Sequence, residues 1–378
     1  MSRIALVSSS FAPYRGGVEE HVRHTAAALT ARGHEVVLWT VDRGERLGVR
    51  TVDGITVRYL PTPLPAARWG SLTRFARGAP AAWRAWRDAA RADRPNLLHV
   101  HCFGPNGVYA VSLARRLGLP LVVTSHGETT GDDHDAFGHS WLLRRALTAA
   151  IRDSAAVTAP TQSVLDDLSQ RFGLGAGVVV PNGVDRDGRA GDRVHAPAAA
   201  PIIAAVGRVE PIKGFDVLVD ALPLVRHTMA SARVLIGGDG SAAAGLRAQA
   251  DAAGLAEAVE VLGWLDPPDV ADLLAQADVV VVPSRREAFG IVVLEAWRAG
   301  TPVVASRVDG LGELIDDGAT GILVPPGDAA ALAQACVRIL TDPTLAGTLS
   351  AAGSVAVQSF SWDAVADAYE RIYSAALR

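Results

Sequence analysis

PSRREAFGIVVLEAWRAGTP, residues 283–302, contains a loop and a predicted helix that ends at Gly300, and the aliphatic run 278–282 before it has the profile of a buried parallel strand. A strand, a loop and a helix N-terminus in this order form an anion site, because the first N–H groups of a helix lack intrahelical partners. Glu287 lies in the loop and Glu295 lies further along the helix, so two carboxylates face the same ligand. Carboxylates accept hydrogen bonds from hydroxyls while N–H groups hold phosphate, which favours a nucleotide sugar as the ligand.

Length and cysteine content narrow the class of protein. A chain of 378 residues exceeds one ordinary core and predicts about two domains. Two distant cysteines, Cys102 and Cys336, indicate a reducing compartment rather than a disulfide framework. The N-terminus MSRIALVSSS reads as a first strand and not as a signal peptide, and no apolar run approaches the roughly 20 residues of a bilayer span. We expect a soluble, cytoplasmic protein.

Charge is divided unevenly along the chain. The net charge is -4, but residues 1–185 carry 21 basic and 16 acidic residues, whereas the remainder carries 15 and 24. The first half is therefore the better host for an anionic acceptor, and nucleic acid is not expected as a partner. Among the 36 basic residues only Lys213 is a lysine. Either it is a chance codon, or its position needs a compact ammonium that a guanidinium cannot replace.

Alternation of strands and helices predicts the architecture. In the first half, short apolar strands are predicted at 3–10, 35–40, 55–60, 97–101, 119–125, 155–159 and 177–180, with helical patterns between most of them. Residues 186–200 are rich in Gly, Pro and Ala and read as a linker. Strands then restart at 201, 233, 259, 278 and 301. The sequence thus predicts two doubly wound parallel-sheet domains, at 1–185 and 201–362, and a tail helix that buries one face.

Ligands of open α/β sheets bind beyond the carboxyl ends of the strands, where the first domain places two candidates. Gly16 and Gly17 open a helix after the first strand and would let backbone approach a phosphate or sugar, although a plain tight helix start explains them equally well. His126 follows strand 119–125 in a glycine-containing loop, which favours a functional role over a packed histidine.

The second domain offers a basic loop after its first strand. Arg208 and Lys213 stand five residues apart, between Gly207 and Gly214, and suit a diphosphate without a metal; the alternative is a solvated loop pair. The glycine turn at 237–240 repeats the theme.

Several other signatures are missing. No G-x-G-x-x-G follows a strand and no Walker loop precedes Lys213, which argues against a dinucleotide oxidoreductase and a P-loop enzyme. Two Asp-x-Asp matches, at 133–135 and 185–187, read as coincidences, and the acidic cluster 132–139 lacks a zinc-helix histidine pair. No metal is expected.

Residues 68–94 interleave arginines with Trp and Phe. Such a segment suits peripheral contact with a membrane, or a phosphorylated acceptor. The favoured interpretation is an ordinary covering helix, with its tryptophans on the sheet and its arginines in water.

Taken together, the motifs resemble glycosyltransferase family 4, which comprises retaining enzymes of the GT-B architecture. The resemblance spans nearly the whole chain in the right order. The matching residues are Gly16, Gly17, His126, residues 181–185, Gly207, Arg208, Lys213, Gly214, residues 237–240, and the pair Glu287 and Glu295 in EAFGIVVLE.

This resemblance implies a role for each matching residue. Arg208 and Lys213 would hold the donor diphosphate, and Glu295 would bind the ribose. Glu287 would hold the donor sugar, and His126 would meet that sugar from the opposite domain. The remaining donor-binding residues would be Gly16, Gly17, Gly238, Ala288, Phe289, Gly290 and Ile291. The tail helix, residues 363–378, would cross back to the first domain, and the two domains would face each other across a cleft.

The implied function is transfer of a hexosyl or N-acetylhexosaminyl group from a UDP- or GDP-sugar to an acceptor hydroxyl, with no metal and no cofactor, in a bacterial cytoplasm or at the inner face of the membrane. Arg208, Lys213, Glu287 and His126 would be the catalytic set. A nucleotide-sugar epimerase and a non-catalytic nucleotide-sugar sensor are the alternatives. A lipid, a glycan, a cyclitol and a secondary metabolite are all open as acceptors, and so is the oligomeric state.

Overall fold

A computed structural model describes residues 1–65, 69–129, 136–185 and 200–378. The chain divides into two compact units, one formed by Met1–Gly183 with Trp362–Arg378 and the other by Val184–Ser361. Each unit is a largely parallel sheet flanked by helices, which confirms the predicted fold class of two α/β domains. The N-terminal segment of the first unit ends at Gly183, two residues before the domain boundary predicted at residue 185. Of the predicted linker 186–200, only the last residue lies within the described ranges.

The first unit contains an eight-stranded sheet with the order β3-β4-β2-β1-β5-β6-β7-β8. Its strands are β1 (Arg3–Ser8), β2 (Glu35–Val41), β3 (Val49–Val52), β4 (Ile55–Leu60), β5 (Leu97–His101), β6 (Leu121–Thr124), β7 (Ala156–Ala159) and β8 (Val178–Val179). The accompanying helices are α1 (Gly17–Ala31), α2 (Trp69–Asp93), α3 (Pro105–Leu117), α4 (Ala136–His139), α5 (Trp141–Asp153) and α6 (Gln162–Phe172).

One edge of this sheet corrects the prediction of a wholly parallel arrangement. β3 was not predicted and pairs antiparallel with β4, while the other ladders of the sheet are parallel. The two strands are joined by Asp53 and Gly54, both with positive φ (49° and 79°). That is the two-residue hairpin conformation that Asp-Gly favours. The signal was present in the sequence, but β3 is short and mostly exposed, so no apolar run marked it.

The second unit contains a six-stranded sheet with the order β11-β10-β9-β12-β13-β14. Its strands are β9 (Ile202–Val206), β10 (Arg233–Gly237), β11 (Val259–Gly263), β12 (Val279–Val282), β13 (Val303–Ser306) and β14 (Ile322–Val324). Its helices are α7 (Phe215–Thr228), α8 (Ala243–Ala252), α9 (Pro267–Gln276), α10 (Ile291–Arg298), α11 (Asp309–Leu314), α12 (Ala329–Thr341) and α13 (Pro343–Ala356). β12 is buried along its whole length because helices cover both faces of the sheet.

The last helix, α14 (Trp362–Ala376), belongs to the first unit. Its buried residues are Val365, Ala366, Tyr369 and Tyr373, at the helical spacing that the sequence predicted. On its outer side Arg32 lies 2.7 Å from the Glu370 carboxylate. The chain therefore returns to its first sheet after completing the second.

α2 packs as the favoured interpretation of the Arg- and Trp-rich segment predicts, with tryptophans inward and arginines outward, while contact of its arginines with a membrane or a phosphorylated acceptor stays a prediction. Trp86 is buried and donates a hydrogen bond to the Pro61 carbonyl (3.1 Å), and Trp83 packs 4.8 Å from the Tyr109 ring. Arg84 and Arg87 are exposed. Within the described ranges, no helix combines the length and the apolarity needed to cross a bilayer.

Both sheets contain a switch point where the strand order reverses. β1 lies between β2 and β5 in the first unit, and β9 lies between β10 and β12 in the second. Loops that leave the two central strands at such a point diverge and open a crevice at the carboxyl edge. The candidate residues in these loops are therefore placed where α/β proteins bind ligands.

Candidate functional site

In the second unit, the switch point brings two segments together that are about seventy residues apart in sequence. The loop after β9 carries Arg208 and ends in a short 3-10 helix, Pro211–Lys213. The loop after β12 carries Glu287 and leads to α10. The Lys213 Nζ lies 2.6 Å from the Glu287 Oε2, and both side chains are mostly shielded from water. Ser284 donates a second hydrogen bond to the same oxygen (3.2 Å).

The position of Lys213 is fixed by a second ion pair that the sequence did not reveal. Arg285, two residues before Glu287, makes a bidentate pair with Asp216 at the start of α7 (2.8 and 2.6 Å) and also donates to the Pro211 carbonyl (2.7 Å). This pairing lowers the pKa of Asp216 and raises that of Arg285. The β12 loop is thereby fastened to the segment that presents Lys213. Nothing in the residue types of Arg285 or Asp216 signals this partnership.

Close backbone packing explains why glycine occupies position 214, in the loop after β9, and position 238, in the turn after β10. A Cβ on Gly214 would lie 2.1 Å from the Pro283 carbonyl oxygen, and one on Gly238 would lie 1.9 Å from that of Gly207. Both residues also have positive φ, 67° and 145°. Gly238 thus permits the turn after β10 to contact the β9 loop, while Glu210 accepts a hydrogen bond from the Ser241 N–H (3.1 Å) across the same contact.

Replacing Gly214 by alanine is expected to destabilise the second unit by about 2–4 kcal/mol, because the new methyl group meets a carbonyl oxygen and the backbone is left-handed. Hydrogen exchange of the full-length chain measures the effect unit by unit. Gly245→Ala is the matched control, since a Cβ there meets nothing within 4 Å on α8. It should be neutral or stabilising by up to about 1 kcal/mol. Equal protection in the two variants would contradict the packing argument.

α10 begins directly beside the Glu287 loop. Gly290 is its N-cap, with φ 96°, and supplies no side-chain cap. The Val293 N–H donates to the Gly290 carbonyl (2.9 Å), so a ligand could be met only by the N–H groups that precede Val293. Ala288 passes so close to α11 that a Cβ on Gly310 would lie 2.3 Å from the Ala288 oxygen. Phe289 is buried under the loop. Glu295 lies within α10 and is partly buried, and Arg208 is exposed after β9.

In the first unit, Gly16 is the N-cap of α1 and Gly17 is its first residue. The Gly16 backbone is extended (φ 167°), and a Cβ there would meet only the flexible end of Glu19, 2.8 Å away. Glycine is therefore not demanded by the local geometry, and close approach of a ligand remains the prediction for this position.

His126 is partly buried at the carboxyl end of β6, beside three buried histidines that the sequence did not indicate. Its Nε2 is 3.2 Å from the His101 Nδ1, and its ring packs edge-on against His21 with the centroids 4.8 Å apart. His99 lies two residues before His101 on β5, and their ring centroids are 4.0 Å apart. Burial lowers the pKa of all four imidazoles below 6.5, that of His21 to about 4.

α14 supplies the partners of this histidine cluster. The Tyr369 hydroxyl lies 3.1 Å from the His21 Nε2, and the Tyr373 hydroxyl lies 2.6 Å from the His99 Nδ1. On its other side, the His21 ring bonds Asn182 (2.8 Å). The signal that could have found the cluster is the H-x-H spacing of strand 97–101, because alternate residues of a strand share one face.

Glu128 anchors the His126 loop. Its carboxylate accepts hydrogen bonds from the backbone N–H groups of Phe103 and His126 (2.7 Å each) and from the Ser125 hydroxyl (3.0 Å). Burial nevertheless raises the pKa of Glu128. One carboxylate thus ties the ends of the adjacent strands β5 and β6 together.

A metal ion could be held by one group among the described residues. Ligand atoms of His21, His101 and His126 lie within 4.8 Å of one another. Two of these rings are joined by a hydrogen bond, and both ring nitrogens of His21 have partners. An ion would therefore displace existing bonds. The two Asp-x-Asp matches fall wholly or partly outside the described residues, and metal independence stays a prediction.

Comparison with known proteins extends over the full chain. The sequence profile "Glycosyltransferase Family 4" matches residues 15–187, and that of "Glycosyl transferases group 1" matches residues 200–342. The chain is 31% identical to a glycogen synthase of Mycobacterium tuberculosis, covering 100% of this chain and 95% of the relative. It is 33% identical to a phosphatidyl-myo-inositol mannosyltransferase of Mycobacterium leprae, covering 98% and 96%.

Solved structures agree with the fold. Sucrose-phosphate synthase from Thermosynechococcus elongatus has a TM-score of 0.80 at 26% identity, covering 99% of this chain and 98% of that one. HepE from Anabaena, solved in complex with UDP and glucose, has a TM-score of 0.79 at 21% identity, covering 99% and 100%.

Proposed function

The chain belongs to glycosyltransferase family 4 and is a glycosyltransferase, and from that premise we propose that it moves a sugar from a UDP- or GDP-sugar to an acceptor hydroxyl, with retention of configuration and without a metal ion. The observation that carries this proposal is the contact of Lys213 with Glu287 beside the N-terminus of α10. A cation, a carboxylate and the N-terminal N–H groups of a helix that has no side-chain cap lie together at the switch point of one sheet. They match a diphosphate that is attached to a polyhydroxylated group.

The roles of the donor-side residues follow from their chemistry. Lys213 and Arg208 take the diphosphate charge, together with the N–H groups of Gly290 and Ile291. Glu287 accepts hydrogen bonds from sugar hydroxyls, and Glu295 takes the ribose. We assign Gly238, Ala288 and Phe289 to the walls of the same pocket. In the first unit, the family resemblance assigns Gly16, Gly17 and His126 as donor-binding residues.

The leaving group decides the mechanism. A nucleoside diphosphate departs as an anion, so Glu287 and Glu295 need not act as the acid and base of a hydrolase pair. Catalysis then rests on stabilising negative charge on the departing phosphate, which Lys213 and Arg208 supply, and on excluding water. In this hypothesis the acceptor hydroxyl attacks from the face that the diphosphate leaves and gives its proton to a donor phosphate oxygen.

Family membership does not by itself specify the chemical class of the acceptor. The two mycobacterial relatives carry names that specify a glycan and a lipid product, so family membership leaves both classes open. Arg77, Arg84 and Arg87 are exposed on α2 and give the first unit a basic face, whereas Arg91 is paired with Asp88 (3.0 Å). They favour an acceptor with anionic groups, such as a phosphorylated lipid at the inner membrane surface.

A thermal-shift panel of nucleotides and nucleotide sugars tests the donor. The matching ligand at 100 times its Kd should add about 2.7 kcal/mol of stability. With that donor, candidate acceptors should yield a product that keeps the anomeric configuration, as measured by NMR, and EDTA should leave the rate unchanged. An isomerised sugar formed from donor alone would indicate an epimerase. Tight donor binding without turnover on any acceptor would indicate a sensor.

A further inference from the structure

The proton on the His126 ring can be placed from its surroundings. Burial keeps the pKa of both His101 and His126 well below 6.5, so at neutral pH each ring is uncharged and carries one N–H. The His101 Nδ1 and the His126 Nε2 are 3.2 Å apart and within hydrogen-bonding distance. One of these nitrogens must therefore donate and the other must accept.

The second nitrogen of His101 decides between the two arrangements. The His101 Nε2 is buried and has no hydrogen-bond partner in the part of the chain that the structure describes. If His126 donated, the His101 Nε2 would carry a buried N–H with nothing to accept it, and such orphaned donors are rare in folded proteins. If His101 donates, only a lone pair is left unpaired, which is the better tolerated of the two. The His101 Nδ1–H therefore donates to the His126 Nε2.

We propose that His101 is a positioning residue that holds His126 in the Nδ1–H tautomer, so that His126 presents a hydrogen-bond donor to an oxygen of the donor sugar. The last clause rests on the proposed function, which assigns His126 to the sugar. The atom it meets is then one that accepts a hydrogen bond.

The other two histidines of the cluster, His21 and His99, have hydrogen-bond partners of their own and do not compete for the bond between His101 and His126. The His21 Nδ1 bonds the Asn182 Oδ1 at 2.8 Å, which makes that nitrogen the donor and leaves the His21 Nε2 to accept from the Tyr369 hydroxyl at 3.1 Å. With both nitrogens bonded, His21 packs edge-on against His126 without competing for its Nε2. The two ring nitrogens of His99 are hydrogen-bonded to Tyr373 and Thr124, both at 2.6 Å, so His99 does not compete for a nitrogen of His101 either.

The tautomer is measured on the full-length, ¹⁵N-labelled protein at pH 7.5, from two-bond ¹H–¹⁵N correlations of the imidazole rings. The His126 signals are assigned by their loss in His126→Phe. We expect a protonated Nδ1 on His126 in the wild type and a shift toward the Nε2–H form in His101→Leu. His101→Asn places an amide N–H near the position of the lost Nδ1–H and should keep the wild-type tautomer. His99→Leu is the matched control, because it removes a buried histidine from the same strand without touching His126.

Kinetics test the functional half of the proposal. His101→Leu should lower kcat/KM for the donor about five- to tenfold, the range expected for one misdirected hydrogen bond, and His101→Asn should recover most of it. His99→Leu should lower stability without this pattern of loss and rescue.

A wild-type His126 protonated at Nε2 overturns the proposal, even if His101→Leu fails to fold. Absence of any ring proton on both His101 and His126 would overturn it in favour of a bound metal ion. If the tautomer is as proposed but His126→Phe leaves donor kinetics unchanged, the assignment of His126 to the sugar in the proposed function fails instead, and with it the donor-presenting role.

Discussion

Lys213→Ala is expected to lower kcat about 100- to 1,000-fold while weakening donor binding about tenfold or less. The reason is that negative charge on the departing diphosphate grows in the transition state, so a cation that contacts it contributes more there than in the ground state. The ratio of the two losses, obtained from steady-state kinetics and from the donor Kd, checks the assignment. Equal losses in turnover and in donor affinity would show that Lys213 only binds the ground state.

The contact of Lys213 with Glu287 requires a control, because Lys213→Ala leaves a shielded carboxylate without its cation. The double variant Lys213→Ala with Glu287→Gln removes that charge and should recover stability relative to the single variant. Turnover should stay low in both, since neither restores the cation. Recovery of kcat in the double variant would mean that the single variant failed through the stranded carboxylate and not through the loss of transition-state charge.

Mild acid is expected to unfold the first unit before the second. Below pH 6.5 the unfolded chain protonates its histidines, whereas burial lowers the folded pKa of His21 to about 4 and those of His99, His101 and His126 well below 6.5. The unfolded state therefore binds more protons, and stability falls as the pH drops from about 6.5 toward 4. Each histidine contributes at most about 1.4 kcal/mol per pH unit, so the four together contribute at most about 5.6 kcal/mol per unit.

Hydrogen exchange at pH 7.5, 6.5 and 5.5 separates the two units in the full-length chain. The second unit is the internal control, because His227, the histidine that the structure describes there, is exposed. Its protection should change little over this range. Parallel loss of protection in both units would contradict an origin in the histidine cluster.

Much of the fold could be predicted from local pattern. Aliphatic runs such as 279–282 are strands because both faces of the sheet are covered, and α10 ends at Arg298, two residues before the helix end predicted at Gly300. The strands that were missed, β3 and β14, span four and three residues. A short element has too few residues to establish a period.

Residue type also singled out part of the candidate site. Lys213 stood out as the single lysine, and Glu287 as an acid beside an anion-binding helix N-terminus. Their direct contact could not be predicted, because it depends on β9 and β12 being neighbours in the sheet. Arg285 and Asp216 carried no signal, since charged residues are common both in loops and in the first turns of helices, and only their pairing gives them a role.

The sequence by itself determined most of the longer strands and the two-domain α/β class, and it placed the candidate residues in loops at the carboxyl ends of strands. Only the tertiary structure decided which of them meet: Lys213 with Glu287, and His126 with His101, His21 and the tyrosines of α14. The physical reason is that periodicity records which face of an element is buried, whereas partners are set by strand order and by the return of the tail helix.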